Sequence, residues 1–209
     1  MILAIDCGNS RIKWGLGEPA VAGELAVWSQ LGEFSTTEVE KMDAVLDAVS
    51  GVRSVIASNV AGVTVRARIA ETISRRGLKL KWCVPVNRQH GVHNGYREPT
   101  QLGADRWAAL LGARHLYQSD CLVVMAGTAT TVDLLTQSGD FLGGVILPGV
   151  GLMKSSLASA TALLDEGSGE IKSSPNNTLD AIETGVHLAT VGAIESMARR
   201  LANDAQCIL

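Results

Sequence analysis

The chain carries the same short pattern twice: an apolar segment of strand length that runs directly into a turn of glycine and hydroxyl residues. The first copy, residues 2–5, is followed by Asp6-Cys7-Gly8-Asn9-Ser10-Arg11-Ile12-Lys13, and the second, residues 121–125, is soon followed by Gly127-Thr128-Ala129-Thr130-Thr131. Glycine lets the backbone approach phosphate oxygens, and successive backbone N–H groups can cradle them. Two such turns, one in each half of the chain, predict two lobes that close on a nucleotide, as in a phosphotransferase.

The order of apolar and polar residues predicts an α/β protein made of two similar halves. Predicted strands cover residues 2–5, 12–16, 21–28, 52–57 and 78–84 in the first half, and 121–125, 131–136 and 141–147 in the second. Predicted helices cover residues 39–49, 63–76, 107–117, 151–163 and 179–202, with irregular segments at 85–103 and 165–177. Because the strand-turn-strand-strand unit occurs twice, we expect a duplicated two-lobe fold with lobes at residues 1–117 and 118–209.

The composition predicts a folded protein that binds neither nucleic acid nor a membrane. Hydrophobic residues make up 46% of the chain and charged residues 19%, and the net charge of -3 lacks the basic excess of a nucleic-acid-binding protein. The sequence has neither a long apolar run nor an N-terminal secretory pattern, so we expect no membrane span and a cytoplasmic location. Its four cysteines are scattered without metal-ligand spacing, which favours buried, reduced thiols.

Asp6 has two interpretations that the residues alone leave open. At the end of a strand it can hold Mg²⁺ against nucleotide phosphates, because this ion needs few protein carboxylates when phosphate oxygens complete its shell. Alternatively, it caps a turn. The neighbouring Gly8, Asn9, Ser10 and Lys13 favour the phosphate site.

Asp105 and Arg106 open a predicted helix directly after the long irregular segment. An aspartate in a first helical turn is stabilised by the helix dipole, which explains Asp105 without any function. The alternative is that Asp105 takes a proton from a substrate hydroxyl while Arg106 binds a substrate carboxylate.

The second half offers further candidate nucleotide contacts. Thr128 follows Gly127 directly and is the strongest candidate for a phosphate contact there, although threonine also suits strands for packing alone. The pairs Gly143-Gly144 and Pro148-Gly149 flank a strand; they either serve as hairpin and helix-entry residues or let a base or ribose approach closely.

Six blocks in order resemble the type III pantothenate kinase family, a branch of the acetate and sugar kinase/Hsp70/actin superfamily. They are Asp6-x-Gly8-Asn9-Ser10-x2-Lys13-x-Gly15, Tyr96-x2-Pro99-x2-Leu102-Gly103-Ala104-Asp105-Arg106, Gly127-Thr128-Ala129-Thr130-Thr131-x-Asp133, Gly143-Gly144-x-Ile146-x-Pro148-Gly149, Leu157-x3-Thr161-Ala162-x-Leu164 and Asn177-Thr178-x2-Ala181-x3-Gly185. The resemblance spans essentially the whole chain and implies the two-lobe actin-like ATPase fold.

The resemblance also implies a role for each matching residue. Asp105 is expected to be the general base for the primary hydroxyl of pantothenate. The other implied pantothenate contacts are Tyr96, Gly103, Ala104, Arg106 and, from a neighbouring subunit of a homodimer, Thr178. The implied ATP contacts are Asp6, Gly8, Asn9, Ser10, Arg11, Lys13, Gly127, Thr128, Thr130, Gly143 and Gly144, with Pro148 and Gly149 near the adenosine and Asp6 as the metal ligand. The implied cofactors are ATP, Mg²⁺ and a monovalent cation, K⁺ or NH₄⁺.

Two departures from the family pattern bear on function. Members usually carry an aspartate two residues before the second Gly-Thr turn, where it helps to hold the monovalent cation; this chain has Met125 there. A thioether is a poor ligand for a hard cation, so the cation site is expected to be lost or rebuilt from other oxygens. The sequence also ends at Leu209, where members usually continue through another strand and helix, which suggests a shortened second lobe. A minor departure is Asp165 in place of a usual proline.

Three functions follow as hypotheses. The first is ATP-dependent phosphorylation of pantothenate to 4′-phosphopantothenate, the step that begins coenzyme A synthesis. The second is an accessory or regulatory protein of the same fold with weak turnover, which Met125 and the early end favour and the retained Asp6, Asp105 and Arg106 oppose. The third is a kinase for another small hydroxy acid.

Overall fold

The computed structural model describes residues 1–21, 23–160, 167–201 and 204–209. Contacts between residues divide the chain into two units, Met1–Gln118 and Ser119–Leu209. None of the helices in these described ranges is long and apolar enough to cross a membrane.

The first unit is built around a five-stranded mixed sheet. Its elements are β1 (Ile2–Cys7), β2 (Arg11–Gly17), β3 (Trp28–Ser35), α1 (Lys41–Ala48), β4 (Ser54–Asn59), α2 (Val63–Arg75), β5 (Lys79–Trp82), the short strands β6 (Arg88–Gln89) and β7 (Val92–Asn94), and α3 (Ala104–Leu116). The sheet order is β3-β2-β1-β4-β5. Strands β1, β2 and β3 are antiparallel neighbours, whereas β4 and β5 continue the sheet in parallel with β1.

Alternation along β1 explains how this sheet forms its core. Leu3, Ile5 and Cys7 are buried, and the residues between them are half-buried, as a strand with one face in the core requires. Apolar residues of α1 and α2, including Met42 and Ile69, complete the same buried cluster. Since β1 and β4 run parallel, their carboxyl ends lie at one edge of the sheet, which is where open α/β sheets place ligands.

The second unit contains β8 (Cys121–Ala126), β9 (Ala129–Leu135), β10 (Asp140–Pro148), α4 (Val150–Ala160), α5 (Thr178–Ala198) and β11 (Gln206–Ile208). Strands β8, β9 and β10 form an antiparallel meander, and β11 pairs in parallel with β8. Leu122, Val124, Val132 and Leu134 form a core with Met197 of α5. Asn177 caps α5, because its side-chain oxygen accepts a hydrogen bond from the Asp180 backbone N–H at 2.9 Å.

The predicted third strand at residues 21–28 is wrong, and the strand instead spans Trp28–Ser35. Val21, Leu25 and Val27 are 68%, 76% and 81% exposed, so the apolar run that suggested the strand contributes nothing to the core. The actual strand lies at the edge of the sheet and is largely exposed. Polar residues therefore occupy it, and a search for buried strands overlooks it.

Two other segments differ from the expectation. Residues 85–103 contain the β6–β7 hairpin and a 3₁₀ turn at Pro99–Gln101, with His90 and Gly91 in left-handed conformation at the hairpin turn. Strand β11, only three residues long, was not predicted. Several positions with a sequence-based expectation lie outside the described residues. They are the expected helix residues 161–163 and 202, the start of the expected 165–177 loop, and the resemblance positions Thr161, Ala162 and Leu164, with Asp165.

Candidate active site

Asp6 lies next to the last residue of β1 and is held by the neighbouring strand. The parallel register of β1 and β4 pairs Asp6 with Ser58, and Ser58 Oγ donates a hydrogen bond to Asp6 Oδ1 at 2.6 Å. Ser58 is only 6% exposed, so this contact is shielded from water. On the other side, the antiparallel register pairs Asp6 with Lys13, an exposed residue of β2.

The turn after Asp6 is fixed by backbone hydrogen bonds. The Gly8 N–H donates to the Arg11 carbonyl at 3.0 Å, and Thr36 closes the turn from outside by donating from Oγ1 to the Gly8 carbonyl at 2.7 Å. A Cβ at Gly8 would lie 3.1 Å from the Arg11 carbonyl oxygen, so the tight turn favours glycine. The Arg11 side chain forms an ion pair with Glu33, whereas Asn9 and Ser10 are exposed at the turn.

Asp105 lies in the first turn of α3, and the pKa of its carboxyl group is shifted from the ordinary value. Its Oδ1 accepts a hydrogen bond from the Arg106 backbone N–H at 2.8 Å. Burial raises the pKa of Asp105 above its ordinary value, and the negative charge of Asp6 raises it further, while the hydrogen bond from the Arg106 backbone opposes this shift. The two carboxylates that the sequence singled out therefore influence each other within the first unit.

Gly103 makes room for the Asp105 carboxylate. A Cβ at Gly103 would lie 2.5 Å from Asp105 Oδ1, closer than atoms tolerate, although the φ of -60° suits any residue. A larger residue at 103 would therefore displace the Asp105 side chain without straining the backbone.

Arg106 is a buried cation next to Asp105. It is 4% exposed, its Nη1 donates to the Tyr96 hydroxyl at 2.9 Å, and its guanidinium lies 5.7 Å from the centre of the Tyr96 ring. The long segment before α3 positions Tyr96, because Asn94 Oδ1 accepts from the Tyr96 N–H at 3.1 Å while Asn94 Nδ2 donates to the Pro99 carbonyl at 3.2 Å. The structure thus brings Tyr96, Gly103, Asp105 and Arg106 together.

In the second unit, Gly149 packs against the glycine-threonine turn. Gly127 N–H donates to the Ala129 carbonyl at 3.1 Å, and Gly149 N–H donates to the Thr128 carbonyl at 2.9 Å. A Cβ at Gly149 would lie 2.0 Å from the Gly127 carbonyl oxygen, so the two segments touch through their backbones. Thr128 is exposed at this turn.

The other residues expected to contact ATP in this unit have mixed placements. Thr130 is 1% exposed and lies on the strand face that Val132 and Leu134 share with the core. Gly143, with φ +111°, lies at a bulge between β9 and β10. A Cβ at Gly144 would lie 2.0 Å from the buried Asp133 carboxylate, which gives Gly144 a packing role within the sheet.

Thr178, the remaining residue expected to contact pantothenate, lies at the start of α5. It is exposed and contributes to a groove of about 480 Å³ between α4 and α5, whose other lining residues are mainly apolar.

The residues fit magnesium but not a hard monovalent cation. Among the described residues no group of three or more His, Cys, Asp or Glu side chains could hold a metal by itself, but Mg²⁺ needs only a carboxylate such as Asp6 when phosphate oxygens supply the rest. At the expected monovalent site, Met125 faces Thr131 across the β8–β9 ladder. The Thr131 hydroxyl is buried without a hydrogen-bond partner in the described structure. One neutral hydroxyl beside a thioether falls short of the oxygen-rich shell that K⁺ or NH₄⁺ takes.

Sequence inspection missed Ser58 and Asn94 as contributors to this site. Ser58 follows a predicted strand directly, so the rule that parallel strands place their carboxyl ends at one edge could have brought it beside Asp6. Asn94 had no comparable signal, because its role depends on the fold of an irregular segment.

Comparisons of the sequence with known proteins all point to the same family. The sequence profile described as type III pantothenate kinase matches residues 2–200. A type III pantothenate kinase of Azoarcus sp. strain BH72 is 44% identical over 211 residues, covering 100% of this chain and 79% of that protein. The enzyme of the same description from Aromatoleum aromaticum is 46% identical, with coverage of 100% and 85%.

Solved structures agree on the fold. A Campylobacter jejuni protein, provisionally described as a Baf family transcriptional activator, superimposes with a TM-score of 0.60 at 21% identity, covering 97% of this chain and 80% of that one. A Sinorhizobium meliloti protein, provisionally described as a 2-dehydro-3-deoxygalactonokinase, gives a TM-score of 0.58 at 16% identity, with coverage of 100% and 85%. The expected actin-like ATPase and sugar kinase fold is confirmed. The profile match and the full-length relatives likewise confirm the family suggested by the sequence blocks: the chain belongs to the type III pantothenate kinase family.

Proposed function

We propose that the protein transfers the γ-phosphate of ATP to the primary hydroxyl of pantothenate, forming 4′-phosphopantothenate for coenzyme A synthesis. The observation that carries this proposal is the arrangement at the start of α3 in a chain of this family. There, a carboxylate with a raised pKa lies next to a buried arginine that contacts a tyrosine hydroxyl.

Asp105 serves as the general base. Its raised pKa makes it a stronger proton acceptor than an ordinary aspartate. It takes or orients the hydroxyl proton while the alcohol oxygen attacks the γ-phosphorus in line, and the bond from that phosphorus to the bridging oxygen of ADP breaks.

Arg106 and Tyr96 recognise the acid end of pantothenate, with the backbone of Gly103 and Ala104 beside them. A buried guanidinium offers several N–H donors in one plane and matches a carboxylate through paired hydrogen bonds. The hydrogen bond to the Tyr96 hydroxyl fixes the orientation of Arg106 before substrate arrives.

ATP is held by the two glycine turns, and Asp6 is the carboxylate for Mg²⁺. Bound magnesium would offset the negative charge of the phosphate oxygens. In the first unit, the backbone of residues 8–11 binds the phosphates together with Asn9, Ser10, Arg11 and Lys13. In the second unit, Gly127 and Thr128 do so, while Gly143, Gly144, Pro148 and Gly149 lie near the adenosine. Thr130, which is buried, supports this turn from the core side. The fixed Gly8 turn and the close packing of Gly149 on Gly127 support this assignment.

We assign no role to K⁺ or NH₄⁺. The Met125 thioether and the Thr131 hydroxyl are an unsuitable ligand set, so we expect turnover that is indifferent to the monovalent cation.

The assembly and location that follow from the family are part of the same proposal. The two units correspond to the two lobes of the fold, with a boundary near Gln118. The protein is a cytoplasmic homodimer in which Thr178 of one subunit contacts pantothenate bound by its neighbour. The free thiols of all four cysteines and the mainly apolar groove beside Thr178 support these statements.

The test is a phosphate-transfer assay with ATP, Mg²⁺ and pantothenate, run with potassium, ammonium or sodium at equal ionic strength. Pantothenate-dependent ADP release that is equal in all three salts would support both the kinase and the absent cation site. A rise with potassium or ammonium would contradict our view of Met125.

A panel of other hydroxy acids under the same conditions tests the substrate. A better substrate than pantothenate would replace it. Pantothenate binding by calorimetry without any turnover would favour an accessory protein. The two type III pantothenate kinases at 44% and 46% identity do not support that alternative, and the retained Asp6, Asp105 and Arg106 oppose it.

A further inference from the structure

Ser58 is the residue that restrains the Asp6 side chain. It lies next to the end of β4, where the parallel ladder places it directly beside Asp6 of β1. Its Oγ donates to Asp6 Oδ1 at 2.6 Å, a short distance of the kind found when a hydroxyl bonds to an ionised carboxylate. In the described part of the chain, no other side chain or backbone N–H donates to the Asp6 carboxylate.

The position of Ser58 argues against a role in packing alone. It is 6% exposed, and burying a hydroxyl costs free energy unless a partner compensates it. The hydrogen bond to Asp6 explains why a serine stands here, because it gives the buried hydroxyl a charged acceptor. An alanine at this position would leave the Asp6 carboxylate without this donor.

The geometry leaves the second oxygen of Asp6 for a ligand. Oδ1 is engaged by Ser58, which limits rotation of the carboxylate about its terminal bond, and Oδ2 has no protein donor among the described residues. Without the hydrogen bond from Ser58, the Asp6 carboxylate would sample several orientations, and fixing one of them on ligand binding would cost conformational entropy. Such rotation would also change the repulsion between Asp6 and Asp105, whose charges interact.

We propose that Ser58 is a positioning residue for phosphate transfer. Its hydroxyl holds Asp6 by Oδ1 so that Oδ2 is presented to the magnesium–nucleotide complex. This inference rests on the proposed kinase function and adds a residue to it. Groups that orient metal-binding carboxylates change metal affinity by about 10- to 100-fold when they are removed.

The experiment compares Ser58→Ala, which removes the donor, with Ser58→Thr, which retains it. The rate is measured against Mg²⁺ concentration at saturating pantothenate. We expect Ser58→Ala to raise the Mg²⁺ concentration for half-maximal rate by about 10-fold or more. The KM for pantothenate should change little, and Ser58→Thr should stay near the wild type. The matched control is Ser54→Ala, the same substitution at the opposite end of β4.

A second readout does not depend on turnover. Binding of Mn²⁺ with ADP is followed by electron paramagnetic resonance, and the free Mn²⁺ signal should be higher for Ser58→Ala than for the wild type and Ser58→Thr. If the wild type proves not to phosphorylate pantothenate, the proposed function fails, while this binding measurement still decides the role of Ser58.

Unchanged metal dependence in a folded Ser58→Ala protein would overturn the proposal. Should that variant fail to fold, Ser58→Cys takes its place, because a thiol has similar size but is a weak donor. Ser58→Cys with wild-type metal affinity would likewise overturn it, and weakened affinity would support it.

Discussion

Asp105 combines the helix-stabilising position of a first-turn aspartate with the perturbed pKa of a reactive group. The sequence left both interpretations open, and the pKa shift from burial and from Asp6 favours reactivity without excluding the helix contribution.

We expect Asp105→Asn to lower kcat by about 10²- to 10⁴-fold, because the amide cannot accept the proton. Calorimetry should show pantothenate binding largely intact. The control is Asp47→Asn, on the exposed surface of α1. Full turnover by Asp105→Asn would remove it from the base role.

The pH profile offers an independent check on the same residue. Since burial and the charge of Asp6 raise the pKa of Asp105, the base becomes protonated at a higher pH than an ordinary aspartate would. The rate should therefore fall on the acid side at a pH above the usual aspartate range, as pH decreases through this raised pKa. The measurement is kcat/KM for pantothenate from acid to neutral pH, with stability confirmed at each pH. An acid limb at the ordinary aspartate pKa would show that Asp105 is not the titrating base.

Gly103 tests whether the placement of Asp105, rather than its mere presence, determines turnover. Gly103→Ala introduces a Cβ 2.5 Å from Asp105 Oδ1, and the short Asp105 side chain must move away. We expect a large drop in kcat with ATP binding retained, measured by steady-state kinetics and calorimetry. Gly112→Ala in the same helix is the matched control, because no neighbouring atom lies within 4 Å of its new Cβ. Equal effects of the two substitutions on kcat would refute this explanation.

At the scale of elements, the turn between β8 and β9 depends on the backbone contact with Gly149. Gly149→Ala would place a Cβ 2.0 Å from the Gly127 carbonyl oxygen and 2.8 Å from that of Thr128, so backbone rather than a flexible side chain must shift. We expect weaker ATP binding and a lower melting temperature. Gly151→Ala, in α4 with open space around its Cβ, should leave ATP affinity unchanged. Calorimetry with ADP and thermal unfolding compare the two variants; similar ADP affinity in both would contradict a phosphate role for the turn.

Elements that bury apolar residues were the ones the sequence could predict. β1, β4 and α2 carry the alternation or helical spacing of core residues, and they form close to the expected bounds. The edge strand β3 and the three-residue β11 owe their position to pairing with a neighbour, which leaves little signal in local apolar pattern. The same division applies to the site: Asp6 and Asp105 follow recognisable motifs, whereas Ser58 depends on the register between β1 and β4.

At the scale of the whole molecule, the Asp105 group and Thr178 belong to different units of the chain. Asp105, Arg106 and Tyr96 are brought together within the first unit, and Thr178 begins α5 of the second. In the proposed homodimer, Thr178 would take part in the pantothenate site of the neighbouring subunit, because a two-fold assembly can supply it from there. The apolar groove beside Thr178 is consistent with a contact surface in this unit.

Subunit mixing tests this arrangement directly. Asp105→Asn and Thr178→Val proteins, each impaired alone, are combined so that subunits exchange. If Thr178 acts across the dimer, each hybrid has one site with both residues intact. Random pairing makes half of the dimers hybrid, so activity should recover to about a quarter of the wild type.

The control mixes Asp105→Asn with Gly103→Ala: both positions lie in the first unit, and no hybrid site regains both. Light scattering establishes that dimers form and native mass spectrometry that they exchange. With hybrids present, activity no higher than the average of the two parents would place Thr178 in the site of its own subunit or outside the site altogether.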